Sequence, residues 1–435
     1  MAVAPAPPDL HEYAIHISTE LGAVPSPTRI HVSRRTKAWI VVVLAAALIS
    51  SGCSSGGAVS SAKPPPTVPA TQSASQIAVW LAGLLGIDSP KWAGKVLAGP
   101  TCTSRKNVFC PQDMATTPDG RILALASFSG ETKVFDVASR RLLLHEPASI
   151  SGSRIEGRMG LWLSADGRFV ARGISTEDQS GNEFTTVFQI WDIATGRAIL
   201  AQAPTSASPW DPIDAAGIAP NGNTLIAFEG ASEADTGWYL LSPTLKERNV
   251  LATHMSYGET PGTIIYPSGK GEWLLDVGNG YAMWAPPAKP SVTVLPCNTG
   301  VVASALDYDG ELYACAVGGT HADGSDTTLI WDIAKKAPLT TLADRKHAGV
   351  VTGAAFFGGG QYLAILAEPT QAYDLSGPKN LLVYSVSARP AEISVTRIPG
   401  ISAGWGVQSF GRFAFAMGYS VQGGVCCLAP LSGQR

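Results

Sequence analysis

Charge is scarce in this chain of 435 residues: Asp, Glu, Lys and Arg together make up 15%, against roughly 25% in an average globular protein. The formal net charge is −3, and no cluster of Lys or Arg falls in the part expected to fold. Nucleic acid is excluded as a partner on that ground, because binding it rests on neutralising phosphates with basic side chains. Cysteine comes to only seven residues, Cys53, Cys102, Cys110, Cys297, Cys315, Cys426 and Cys427, and no two stand in a C-x-x-C pair. That spacing argues against a zinc site, and no metal or other cofactor is expected. Catalytic signatures are missing from the part expected to fold: it holds no G-x-S-x-G, H-E-x-x-H or P-loop, and the chain's one G-x-S-x-G match, Gly52-Cys53-Ser54-Ser55-Gly56, lies ahead of the repeats without the strand and helix such a nucleophile turn needs. The histidines beyond residue 53 are His145, His254, His321 and His347, scattered along the chain. Each is read as structural or surface-exposed rather than as a base.

Glycine and proline, by contrast, are plentiful at 46 and 31 residues, and they punctuate a recurring pattern. A turn signal opens each copy: Pro118-Asp119-Gly120, Ala165-Asp166-Gly167, Pro220-Asn221-Gly222, Pro267-Ser268-Gly269, Tyr308-Asp309-Gly310, Phe357-Gly358-Gly359 and Phe410-Gly411-Arg412. The middle positions 119, 166, 221, 268, 309, 358 and 411 stand 41 to 55 residues apart, a period that signals propeller blades. Asx-Gly pairs accept the positive φ that two-residue hairpins need. After each turn comes a short strand, at 122–126, 169–171, 224–228, 273–275, 312–315, 362–366 and 413–416. These runs are apolar on both faces, as a strand covered on both sides requires. A polar loop follows, and then another strand that ends in pairs such as Phe135-Asp136, Trp191-Asp192 and Trp331-Asp332.

Ahead of the repeats lie four segments of different character. Residues 1–33 show no sustained periodicity and are expected to be a disordered tail. Residues 34–53 carry the basic Arg34, Arg35 and Lys37, an apolar run from Ala38 to Ile49, and Ser50-Ser51-Gly52-Cys53. A helix over those 12 apolar residues is too short to cross a hydrocarbon core of about 30 Å, so the segment reads as a signal peptide, with an uncleaved anchor as the other reading. Residues 54–75 are rich in Ser, Ala, Pro and Thr and form an extended linker. In 76–92 the residues Ile77, Trp80, Leu81, Leu84 and Leu85 fall at helical spacing, with Ser73 or Ser75 to cap the helix and Gly86 to end it. Without a basic polar face, that helix is expected to pack on the repeat domain rather than on a membrane surface.

The small residues running into Cys53 resemble the cleavage box of bacterial lipoproteins, with Ser50 where that family usually has Leu. The resemblance implies that the Cys53 thiol is acylated and becomes the mature amino terminus on the extracytoplasmic side of the cell membrane. Residues 93–435, with their Trp-Asp pairs and His347-Ala348-Gly349 opening the sixth copy, resemble WD-repeat proteins. Most copies lack that family's Gly-His pair. The expectation is an all-β, seven-bladed β-propeller of the WD-repeat kind. Its seventh copy stops soon after Cys427, and the stretch Lys95–Cys102 is expected to supply the missing fourth strand and close the ring.

Six cysteines lie in the part expected to fold, which suits disulfides in an oxidising compartment. Closure through Lys95–Cys102 would bring Cys102 beside Cys426 or Cys427. Cys297 and Cys315 make a second candidate pair and Cys110 takes what is left, although six cysteines allow about 15 arrangements. Several second-to-third loops are long and acidic, and the fold would gather Glu177, Asp178, Glu183, Glu233, Asp235, Asp323, Asp326 and Asp374 on one face. Such a face attracts a basic partner or a cation, though turn chemistry alone also favours Asp, Ser and Gly there. The calcium-loop likeness of Asp323-Gly324-Ser325-Asp326 lacks the closing Glu. Function is thus expected to be non-catalytic: a membrane-anchored scaffold that binds an envelope protein or a cell-wall component. The alternative is a lactonase-like propeller hydrolase with its site at the central channel.

Overall fold

In the computed structural model of the chain, the described residues run from 73 to 429, apart from 88–89, 94–95, 100–108, 128, 149–158, 178–182, 203–212, 220, 229–236, 242–246, 253–264, 271, 277–280, 285–290, 293–300, 319–325, 343–348, 369–378, 388, 399–402 and 421–422. All belong to one compact unit, Lys63–Arg435. The expected tail, the signal or anchor segment with Cys53, and the linker up to residue 72 lie outside them. No helix among the described residues is long and apolar enough to cross a membrane.

Helix α1 (Ala74–Leu84) opens the described chain, with Ser73 as its cap. The Ser73 hydroxyl accepts from Gln76 N, and the Gln76 side chain accepts from Ser73 N at 3.2 Å, a reciprocal capping box. Gly86, at φ 67, lies just past the last turn and takes a left-handed conformation that costs glycine little. The segment assigned from sequence as a helix over 76–92 is therefore shorter. Its end is not helical: β1 (Lys91–Ala93) pairs antiparallel with β2 (Val96–Gly99). Three residues are too few to show strand alternation in sequence.

Seven sheets follow from the strand pairings of the described residues. The first holds β3 (Pro111–Thr116), β4 (Ile122–Ser127), β5 (Thr132–Asp136) and β6 (Arg141–Glu146). The second holds β7 (Met159–Leu163), β8 (Phe169–Glu177), β9 (Glu183–Asp192) and β10 (Arg197–Gln202). In the third are β11 (Ile213–Ile218), β12 (Thr224–Phe228), β13 (Gly237–Leu241) and β14 (Glu247–Ala252). The fourth is the shortest: β15 (Ile265–Pro267), β16 (Trp273–Asp276), β17 (Tyr281–Trp284) and β18 (Ser291–Val292). The fifth contains β19 (Val301–Leu306), β20 (Leu312–Val317), β21 (Thr327–Asp332) and β22 (Ala337–Leu342). The sixth contains β23 (Val350–Phe357), β24 (Tyr362–Glu368), β25 (Lys379–Ser385) and β26 (Glu392–Ile398). The seventh is β27 (Ala403–Phe410), β28 (Phe413–Ser420) and β29 (Gly423–Ala429), extended by β2 and then β1, so that it has five strands. Every pairing is antiparallel, and the first six sheets run in chain order from their first strand to their last.

First strands touch in sequence, β3 with β7, β7 with β11, β11 with β15, β15 with β19, β19 with β23, β23 with β27, and β27 again with β3. Side chains explain why the second strands are apolar on both faces. Along β4, Ile122, Ala124 and Ala126 pack with Leu161, Val170 and Trp191 of the second sheet. The alternate residues Leu123 and Leu125 pack with Phe413, Phe415 and Met417 of the seventh. Residues of β24 divide likewise, with Leu363, Ile365 and Ala367 facing the fifth sheet and Ala364 and Leu366 the seventh. Each buried Leu, Ile, Val, Phe or Met among them contributes roughly 1.5–3 kcal/mol. Helix α1 joins the cluster between the first and seventh sheets through Ile77, Leu81 and Leu85, and Trp80 meets the Phe135 ring edge-on at 5.9 Å.

In the seventh sheet Leu97 lies opposite Cys426, and Val96 opposite Cys427. The strand that makes this pairing ends at Gly99. Cys102 itself, like Cys297, lies outside the described residues. Cys110 and Cys315 are both disulfide-bonded.

Candidate functional site: an acidic groove among the short turns

The turn joining the first and second strands is built the same way in several sheets. Gly120 N donates to Thr117 O at 2.8 Å, Gly167 N to Ser164 O at 2.9 Å, Gly222 N to Ala219 O at 2.8 Å and Gly310 N to Asp307 O at 3.2 Å. The four glycines have φ of 67°, 70°, 82° and 69°. A side chain three residues before the glycine secures the turn: Thr117 Oγ1 accepts from Ile122 N at 3.0 Å and Ser164 Oγ from Phe169 N at 2.8 Å. Neighbouring turns also touch, since Arg121 donates to Asp166 O at 2.7 Å and Gly358 N to Gly411 O at 2.8 Å.

The aromatic-Asp pairs serve the turn after the third strand. Asp192 Oδ1 accepts from Ala194 N and Thr195 N, both at 3.1 Å, and Arg168 Nε donates to Asp192 Oδ2 at 3.2 Å. Asp136 Oδ1 accepts from Ser139 N at 2.7 Å, and Asp332 Oδ1 from Lys335 N at 2.9 Å. These carboxylates cap hairpins, which is the physical content of the Trp-Asp signal.

Between the fifth and sixth sheets those turns enclose a groove of about 380 Å³ lined by Asp307, Asp309, Glu311, Leu312, Asp332, Ala334, Lys335, Gly359 and Gly360. In this turn an acid stands where Thr117 and Ser164 offer hydroxyls: Asp307 Oδ1 accepts from Glu311 N at 2.8 Å and Leu312 N at 2.9 Å. Burial pushes the Asp307 carboxyl above its ordinary value, and the nearby Asp309 and Glu311 push it further. Lys335 holds Asp332 below the usual carboxylate range through a side-chain hydrogen bond at 2.5 Å. Lys270 reaches Glu311 at 3.1 Å across the rim.

This groove lies among the short turns, not among the long loops where acids were expected to gather. Of the eight acids named from sequence, Glu177 and Glu183 sit directly opposite each other at the end of the β8–β9 ladder. Asp326 is only 5% exposed and accepts from Val351 N at 2.7 Å, so it ties the fifth sheet to the sixth and presents no carboxylate outward. Asp178, Glu233, Asp235, Asp323 and Asp374 lie outside the described residues, as do His254, His321 and His347. His145 is exposed and bonds Glu131 at 2.9 Å. The missed groove has one sequence signal, the three acids of Asp307-Tyr308-Asp309-Gly310-Glu311.

Elsewhere, charged groups are buried between strands. Burial pushes the Asp113 carboxyl up to about 7, against hydrogen bonds from the backbone of Met114 and Leu161. Lys379 and Glu368 form a buried ion pair. Arg172, 1% exposed, donates to Thr132 Oγ1 at 3.1 Å and Gln189 Oε1 at 2.5 Å and stacks on Trp191. Burial lowers its pKa to about 10.

No protein family and no characterised protein matches the chain by sequence. Among solved structures it is similar to the RRP9 WD40 repeats, at 13% identity and TM-score 0.45, covering 74% of this chain and 95% of that one. It is also similar to the Cps50 (Swd1) β-propeller domain of Myceliophteria thermophila, at 12% identity and TM-score 0.46, covering 78% and 98%. A chain of the mitotic checkpoint complex matches at 13% identity and TM-score 0.46, covering 74% and 96%.

Proposed function

We propose that the chain is a seven-bladed β-propeller, closed by β2, that works as a non-catalytic docking scaffold on the outer side of a cell membrane. Support for the ring is the cyclic contact of first strands together with the β2–β29 pairing. A closed ring leaves fewer unpaired edges and gives a rigid frame on which turns present binding groups. The observation that carries the docking reading is the groove: it is acidic, open to solvent and assembled from the turns of two adjacent sheets. In this reading Cys53 carries the acyl anchor, residues 54–75 are the tether, and the partner is an envelope protein or a cell-wall component.

Affinity capture from envelope extract with the full chain tests the reading. A specific partner that elutes with salt supports it; a chain that enriches nothing over a charge-matched control contradicts it. Cys53→Ala tests the anchor separately and should abolish acyl-chain labelling and release the protein from membranes. Retained labelling would refute the lipoprotein assignment.

The hydrolase alternative has one favourable observation, a carboxyl raised to about 7 on a first strand, Asp113. Its hydrogen bonds come from backbone N–H groups of Met114 and of Leu161 in the next sheet, which is the arrangement of a joint rather than of a general base.

A further inference from the structure

Helix α1 carries no charge, and neither does the chain around it: no Asp, Glu, Lys or Arg stands between Lys63 and Asp88. Its inner face, Ile77, Ala78, Leu81 and Ala82, is buried in the cluster between the first and seventh sheets. Its outer face is Ser75, Gln76, Val79 and Gly83, all exposed. A helix lying on the surface of a water-soluble domain ordinarily turns charged side chains outward. This one turns out Val79, 47% exposed.

The β5–β6 hairpin continues that surface. Trp80 of α1 meets Phe135, and Leu142 lies directly across from Phe135 on β6, 44% exposed. Val79 and Leu142 are the two large apolar side chains left exposed among the described residues. Next to Leu142 stand Arg140 and Arg141, both exposed. Acids of the same hairpin are engaged elsewhere: Glu131 bonds Lys133 and His145, and Asp136 accepts from Ser139 N and Oγ. No ion pair holds either arginine among the described residues, whereas Arg121 and Arg168 each have one. The basic face that the helix lacks is thus supplied by the sheet beside it.

We propose that α1 and the β5–β6 hairpin lie against an anionic phospholipid bilayer, with Val79 and Leu142 entering the interface and Arg140 and Arg141 meeting lipid phosphates. This rests on the anchored-scaffold reading above and names the surface that the scaffold turns to the membrane. Chain length favours lipid as the occupant. Only the 19 residues 54–72 separate Cys53 from Ser73, and a chain of that length without internal structure spans about 25 Å on average. An acylated Cys53 therefore holds α1 within reach of the headgroups, ahead of every other described element. Chemistry favours lipid as well, since apolar side chains backed by a tryptophan and flanked by arginines suit the boundary between headgroups and acyl chains. Two apolar side chains and two charges are too few to hold a partner protein, whose interfaces bury about 800 Å² on each side. They suffice to orient a chain that its anchor already keeps at the surface.

The test uses the full acylated chain in vesicles of mixed phosphatidylglycerol and phosphatidylcholine, and in vesicles of phosphatidylcholine alone. Flotation reads the anchor. A charged, membrane-impermeant maleimide reads the surface, through Val79→Cys, Leu142→Cys and a control, Ala334→Cys, at an exposed turn of the fifth sheet; the parent chain sets the background. Val79→Cys and Leu142→Cys should react about tenfold more slowly on the mixed vesicles than on phosphatidylcholine, the weight of two arginines near an anionic surface. Ala334→Cys should react alike on both. Arg140→Gly with Arg141→Gln, added to Val79→Cys, should remove most of the slowing. Arg140 has φ 57, a left-handed backbone that glycine adopts freely, so this variant keeps the fold. Val79→Cys carries the test by itself if Leu142→Cys fails to fold. Equal rates for Val79→Cys on the two vesicles, or slowing that survives the loss of both arginines, would overturn the surface. Slowing that appears only when envelope proteins are added would overturn lipid in favour of a protein partner. A chain that floats while residue 79 stays open sinks this inference and leaves the anchor. A chain that floats with neither vesicle sinks the anchored reading and this inference with it.

Discussion

The Thr116 hydroxyl donates to Gln408 Oε1 at 3.2 Å, joining residues 292 positions apart. Thr116 ends the first strand of the first sheet and Gln408 lies in the first strand of the seventh. The bond therefore joins the first sheet to the seventh, beside the apolar cluster that α1 completes. Thr116→Val keeps the shape and removes the donor. It should lower unfolding stability by about 0.5–1.5 kcal/mol, read as a shift in the urea midpoint with an unchanged slope.

Asp113 makes stability depend on pH. Its folded pKa of about 7 lies above the ordinary 3.8, chiefly through burial. The folded state thus holds this proton more tightly than the unfolded chain does. The contribution is fully present below about pH 4 and is lost as pH rises through about 7. Each unit of displacement corresponds to about 1.4 kcal/mol, so the loss is of the order of a few kcal/mol. Asp113→Asn should flatten the profile between pH 4 and 8 and raise the melting temperature at pH 8; an unchanged profile would remove Asp113 as the cause.

Arg172 separates volume from charge. It sits on β8 with its guanidinium between Thr132, Gln189 and the Trp191 ring. Arg172→Ala should cost about 3 kcal/mol, since it leaves a cavity and strips the Thr132 and Gln189 oxygens of a donor. Arg172→Met retains most of the volume and should cost less by the cavity part alone, because it strips the same two oxygens of their donor. Chemical denaturation of the two variants side by side decides it; equal losses would mean that the hydrogen bonds, not the packing, dominate.

Much of the strand framework was legible because its signal is local. A second strand such as β24 is apolar at every position, since odd and even residues meet different neighbours, and the glycine turns mark where each hairpin reverses. The groove was not legible. Asp307, Asp332 and Gly360 come from three separate turns, and only the stacking of the fifth sheet on the sixth brings them together. Long loops drew attention for their acids, yet Asp326 turns inward to hold Val351. β1 escaped because Lys91-Trp92-Ala93 is too short to alternate.

The register of β2 on β29 is where the closed ring stands or falls. Leu97 is directly across from Cys426 on the neighbouring strand, so a cysteine placed at 97 would face an existing partner. The measurement is peptide mapping of Leu97→Cys after reduction and re-oxidation of the folded protein. A linked peptide joining residue 97 to Cys426 is the expected result. A free thiol at 97, or a link from it to Cys110 or Cys315 instead, would contradict the closure of the last sheet by a strand from the chain's beginning.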